Sequence, residues 1–140
     1  MPNPEARAPR TLKDPETGLH GRASLRLELD RLSARAAQDG FPLGLITVTF
    51  PPSAAPVMPE LGRFLAQGIR SADCLARTGP CELQMLLSHE DVEHAPRVME
   101  RLRALVAEYR QQNGGGPDTD PVFTLDTELD VASFTHALAV

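Results

Sequence analysis

Apolar and polar positions along this chain repeat with two different periods, and the switches between them mark its elements. From Arg22 to about Gln38, Leu25, Leu29, Leu32 and Ala36 fall on one helical stripe, which Asp39 and Gly40 close. Leu43 to Phe50 (LGLITVTF) is a short apolar, β-branched run that predicts a central strand. Pro51, Pro52 and Pro56 then interrupt the chain, and Pro59 sits where the first turn of a helix tolerates proline. That helix is predicted to run to about Ile69, with Met58, Leu61, Leu65 and Ile69 facing the core. Two further strands are predicted, from about Cys74 to Arg77 and from Glu82 to Leu87, joined by a tight turn at Gly79 and Pro80. Ser88, His89, Glu90 and Asp91 read as the cap of a third helix, which buries Val98, Leu102, Leu105 and Tyr109. Gly114, Gly115 and Gly116 predict a loop, residues 121 to 126 a last strand and residues 131 to 139 a last helix.

The resulting order, α-β-α-β-β-α-β-α, predicts an α/β sandwich in which a central, mostly antiparallel sheet is flanked by helices. Residues 1 to 13 hold Pro2, Pro4 and Pro9 and little apolar material, so they are expected to be a flexible tail. Residues 14 to 140 are expected to be one domain, since a chain of 140 residues can bury a single core. No internal repeat is present.

Composition narrows the function more by exclusion than by assignment. A net charge of -5 and a pI near 5.3 argue against a nucleic-acid or anionic-membrane partner held by bulk charge, which needs clustered Lys and Arg. No apolar run approaches the ~18 residues of a membrane span. The N-terminal Met1-Pro2-Asn3-Pro4-Glu5 carries no apolar signal core, so a soluble cytoplasmic protein is expected. Cys74 and Cys81 are too few and too isolated for a disulfide framework or a zinc site, and read as ordinary thiols in a reducing compartment. His20, His89, His94 and His136 show no spacing for metal or triad chemistry, and no cofactor is expected. Gly114 to Gly116 lack the following Lys and Ser or Thr of a phosphate loop.

The stretch Arg70 to Leu83, RSADCLARTGPCEL, carries the chemistry. It resembles the R-x-x-D-x-x-x-R-x-G-G-D/E-E-F segment of diguanylate cyclase (GGDEF) domains, with Arg70, Asp73, Arg77, Gly79 and Glu82 matching. Pro80, Cys81 and Leu83 depart from the pattern. An R-x-x-D alone means little, because arginine and aspartate are frequent enough here to place about one by chance. The register is supported upstream by Asp14 to Arg22 (DPETGLHGR), similar to the D-x-L-T-G-L-x-N-R opening of the same family. Downstream, Ala95 to Arg103 (APRVMERLR) is similar to the helix after the family's catalytic hairpin.

The resemblance implies a module that keeps a regulatory site and has lost a catalytic one. The family's strand-end aspartate falls on Thr49 and its hairpin acid on Cys81, neither of which holds magnesium, a cation that demands oxygen anions and water. The family's substrate-recognition stretch is reduced here to Phe50 to Ala55, about ten residues short. Glu82 by itself reads as an exposed hairpin residue. The family's product-inhibition site falls on Arg70, Asp73 and Arg101, whose residue types suit cyclic di-GMP. Arginine forks onto guanine O6 and N7 or onto phosphate oxygens, and an aspartate accepts from the guanine N1 and N2 donors. A helix-terminal ion pair of Arg70 with Asp73 is the plainer reading. Arg35 matches a position from which some family members reach a ligand held by a neighbouring domain, although a surface charge is the plainer reading there too. Arg77 is expected to pair locally. The expected function is a non-catalytic cyclic di-GMP receptor acting in trans on a protein partner, with a ligand-dependent homodimer as a further expectation. The alternative is a scaffold that binds protein without nucleotide.

Overall fold

In a computed structural model, residues 13–69, 75–116 and 118–127 are described. The elements are α1 (Arg22–Asp39), β1 (Leu43–Thr49), α2 (Met58–Gly68), β2 (Leu75–Gly79), β3 (Glu82–Ser88), α3 (Ala95–Gln112) and β4 (Val122–Asp126), with short 3-10 helices at Pro52–Val57 and His89–Asp91. The four strands form one sheet in the order β2-β3-β1-β4 with every pairing antiparallel. The fold is therefore the predicted sandwich of helices on an antiparallel sheet. β1, the most continuously apolar strand, lies inside it, paired with β3 from Leu43↔Ser88 to Thr49↔Glu82 and with β4 from Leu45↔Asp126 to Thr49↔Val122.

Strand alternation divides the core in two. On one face Ile46, Val48, Leu75, Leu83 and Met85 pack against Leu61 and Leu65 of α2 and Leu102, Leu105 and Tyr109 of α3. On the other, Leu45, Ala76 and Leu86 lie under Leu25 and Leu29 of α1. Beyond α1 this second face turns polar, and buried Gln84 donates from Nε2 to Thr47 Oγ1 at 3.1 Å. α1 ends where the sequence indicates: Gly40 takes a left-handed φ of 75° and its N–H bonds the Ala36 carbonyl.

Two details differ from the sequence reading. Ser88 to Asp91 do not cap the third helix; they make a separate 3-10 turn, and α3 starts at Ala95 with no side-chain cap from His94. Pro96, in the first turn, fixes the start there, and Ser88 Oγ pairs with His89 Nδ1 at 3.1 Å instead. The second strand runs on to Gly79, past its predicted end at Arg77, and its predicted first residue, Cys74, lies outside the described residues. Residues 1–12 of the expected tail and the helix expected at 131–139 lie outside them too. Lys13 bridges to His20. Among the described residues no helix is long and apolar enough to cross a membrane.

Candidate ligand site and strap

α2 and α3 pack against each other, with Phe64 and Tyr109 rings 5.6 Å apart between centroids. This packing brings the C-terminus of α2 to the middle of α3, where Arg101 Nε donates to the Gly68 carbonyl at 3.3 Å. The last carbonyls of a helix carry partial negative charge and have no partner within the helix, so an arginine is well placed there. A guanidinium has five donors in a planar fork, and this bond occupies one, leaving the Nη pair for another acceptor. Arg70 and Asp73 lie outside the described residues, so Arg101 is the member of the predicted trio that the structure locates. It stands at the helix end two residues before Arg70.

Arg35 lies elsewhere. It lines a groove of about 650 Å³ between α1 and the C-terminal end of β3, with Ser24, Arg31, Leu86 and His89 among its walls. Arg31 is engaged by Glu28 within α1. Leu27, 58 % exposed, stands at the rim. α1 and α3 cover opposite faces of the sheet, so one chain does not bring Arg35 and Arg101 to a common ligand.

The hairpin end of the sheet carries the positions that the family resemblance assigns to metal. Thr49 is paired directly with Glu82, and half-buried Cys81 accepts the Phe50 N–H on its carbonyl at 2.9 Å. Glu82 is half-buried rather than exposed, and its carboxylate accepts the Thr78 hydroxyl at 2.8 Å. A hydroxyl, a thiol and one carboxylate already engaged by a neighbour do not suit magnesium, which takes hard oxygen ligands. Among the described residues no group of three or more His, Cys, Asp or Glu could hold a metal ion.

The arrangement that sequence reasoning missed centres on Arg77. Its expected local bond exists, from Nη2 to the Pro80 carbonyl at 3.0 Å. The stronger partners are distant: Nη1 reaches Asp14 Oδ2 at 3.2 Å and Glu16 Oε1 at 2.7 Å. Asp14 Oδ2 also accepts the Thr17 N–H at 3.0 Å and the Thr17 hydroxyl at 2.6 Å. Burial pushes the Asp14 carboxyl up, but the bonds from Thr17 and Arg77 outweigh it and hold the group below the ordinary carboxylate value. Burial likewise works against the Arg77 charge, and the bonds to Glu16 and Asp14 raise its pKa in spite of it. Gly18 closes this turn at φ 75°, a conformation that suits glycine. The strap then crosses the edge of β2, where His20 bridges Ala76 and the Arg77 N–H bonds the His20 carbonyl at 2.8 Å. Asp14 and Arg77 belong to the two separate motifs, and nothing in the sequence joins them.

His20 Nδ1 pairs with Ser24 Oγ at 2.8 Å, and His89 stacks on Phe41 with centroids 3.8 Å apart. His94 is exposed, and His136 lies outside the described residues.

Solved structures share this fold. The diguanylate cyclase SiaD of Pseudomonas aeruginosa, in complex with its activator SiaC, matches with a TM-score of 0.75 at 20% identity, over 96% of this chain and 56% of that one. This chain thus spans little more than half of that protein's length. The GGDEF domain of FimX from Pseudomonas aeruginosa matches with a TM-score of 0.67 at 20% identity, over 91% of this chain and 88% of that one. The GGDEF domain of DgcB from Caulobacter crescentus, in complex with c-di-GMP, matches with a TM-score of 0.62 at 19% identity, over 82% and 73% of the two chains. No family model and no curated protein matches the sequence. The chain has a GGDEF-like fold.

Proposed function

We propose that this chain is a non-catalytic receptor for cyclic di-GMP, which it holds with Arg70, Asp73 and Arg101 and reports to a protein partner. The observation that carries the reading is the anchoring of Arg101 at the end of α2, beside the start of the R-x-x-D segment. An arginine fixed through Nε offers its Nη pair as a preformed fork for a guanine edge or a phosphate. The loss of catalysis rests on the donor set at Thr49, Cys81 and Glu82. It rests also on the short passage from Phe50 to α2, which a six-residue 3-10 helix fills. A solved domain of the same fold carries c-di-GMP, and another is held by an activator protein, which suits a receptor that works through a partner.

Calorimetric titration with cyclic di-GMP tests the reading. Wild-type protein should bind, and Arg101→Ala and Arg70→Ala should each weaken binding by about 1–3 kcal/mol, the range for a lost bidentate contact. That corresponds to roughly 5- to 150-fold in affinity. Absence of heat from the wild type at high ligand concentration would leave the scaffold reading, which the exposed Leu27 at the rim of the α1 groove favours. Binding that survives both substitutions would put the site elsewhere.

A further inference from the structure

Arg101 can meet the Gly68 carbonyl only because α2 closes tightly on α3 at that point. The closeness is visible in what a side chain at position 68 would strike. A Cβ there would lie 2.6 Å and 2.8 Å from the two methyl carbons of Leu105 and 3.2 Å from its Cγ. Leu105 is 3% exposed and packed in the main core, so those methyls have little room to withdraw. Gly68 does not need its glycine for backbone reasons, because its φ is not in the left-handed region. Alanine is also the better helix former, so in an open helix the exchange would stabilise. The cost of a methyl group at Gly68 is therefore the collision with Leu105. Either Leu105 turns aside within the core or the end of α2 moves away from α3 with the Gly68 carbonyl, and the packing around Leu105 favours the second.

We infer that Gly68 is a positioning residue: its missing side chain sets the spacing at which the α2 terminus holds Arg101 in place through Nε. Leu105 is the other half of the device, since it fills the space that a side chain at Gly68 would take. Part of this rests on the receptor reading above, namely that the positioned guanidinium serves a dinucleotide. The positioning itself does not. The residue at 68 would then tune ligand affinity without touching the ligand, by deciding whether the arginine is held in advance or must be ordered on binding.

The test compares wild type, Gly68→Ala, Leu105→Ala and the double variant Gly68→Ala/Leu105→Ala, in which the space for the new methyl is restored. Two quantities are measured on each: exchange of the Arg101 Nε–H with solvent by nitrogen-15 NMR, and affinity for cyclic di-GMP. In Gly68→Ala the Nε–H should exchange faster and binding should weaken by about tenfold, as expected when a charge-assisted contact is no longer preformed. The double variant should recover both toward the wild type, which general destabilisation would not produce, since Leu105→Ala alone opens a cavity. An Nε–H that exchanges equally in wild type and Gly68→Ala overturns the inference. Unchanged affinity in Gly68→Ala, with the wild type binding, overturns its link to the ligand. A wild type that binds no dinucleotide overturns the receptor reading, and the exchange data then decide the positioning on their own.

Discussion

Arg77 Nη1 lies 3.2 Å from Asp14 Oδ2 across 63 residues of chain, and the contact fastens the turn ahead of α1 to the strand that leads into the hairpin. Both side chains are largely out of water, 10% and 17% exposed. The turn gains a second hold where the Arg63 guanidinium bonds the Glu16 carbonyl. It gains a third where Thr17 packs onto Gly62, whose Cβ would come within 2.6 Å of a Thr17 methyl. The segment from Asp14 to His20 therefore acts as a strap over the otherwise open edge of β2, which protects that edge from pairing with another chain.

Removing the Arg77 side chain should loosen the strap without unfolding the sheet. Arg77→Ala is expected to cost about 1–3 kcal/mol, the range for a hydrogen bond to a charged group plus the desolvation of the partner left behind. In urea this should lower the midpoint by on the order of 1 M with an unchanged slope. A midpoint equal to the wild type would show that Thr17 alone holds Asp14.

The same cluster sets an acid limit. The Asp14 pKa is lower in the folded chain than its unfolded value of about 3.9. Between the two values the unfolded state therefore binds more protons. The stabilisation is fully present above about pH 4 and is lost as pH falls through the folded pKa. Asp14→Asn should be less stable than wild type at pH 7 and should lose less on acidification between about pH 5 and 2. Parallel acid limbs for the two proteins would assign the acid sensitivity to other carboxylates.

How much of this was legible in the sequence depends on whether a feature repeats along the chain or only across it. The stripe Leu25, Leu29 and the run Leu43 to Thr49 declare themselves by period, and the antiparallel sheet follows from their order. Contacts made once between distant residues have no period. Arg77 reads locally because nothing along the chain points from it to Asp14, 63 residues away. Glu82 reads as exposed because strand alternation says nothing of Thr78, which the register shift between Arg77 and Gly79 leaves unpaired beside it. The anchoring of Arg101 is equally hidden, since its acceptor is a backbone carbonyl whose approach depends on Gly68. The false cap at Ser88 is the reverse case, where the residue types suit a cap but Pro96 fixes the helix start further on.

The donor set at the hairpin predicts no cyclase turnover. With GTP and magnesium or manganese the protein should release no pyrophosphate and form no cyclic di-GMP above a buffer control. Thr49→Asp/Cys81→Asp, which returns carboxylates to the two positions, should remain inactive. The ground for that expectation is the short passage between β1 and α2, occupied by the 3-10 helix Pro52–Val57. Metal-dependent product from the wild type would overturn the non-catalytic reading, and product from the double variant alone would show that the carboxylates were all that was missing.

The last prediction concerns the two arginines that one chain keeps apart. Arg101 and Arg35 stand on opposite sides of the sheet, so a ligand held at Arg101 can meet Arg35 only on a second copy. A dinucleotide with two guanines and two phosphates has edges for both copies at once. A ligand that binds the pair better than the single chain shifts the association equilibrium by mass action. Light scattering after gel filtration should therefore give a monomer mass without ligand and about twice that mass at saturating cyclic di-GMP. Arg35→Glu, which reverses the charge offered to the second edge, should keep the mass near that of a monomer. A mass that stays monomeric in the wild type at full occupancy would reject ligand-bridged pairing, and the outward face of the bound ligand would then be available to a different protein.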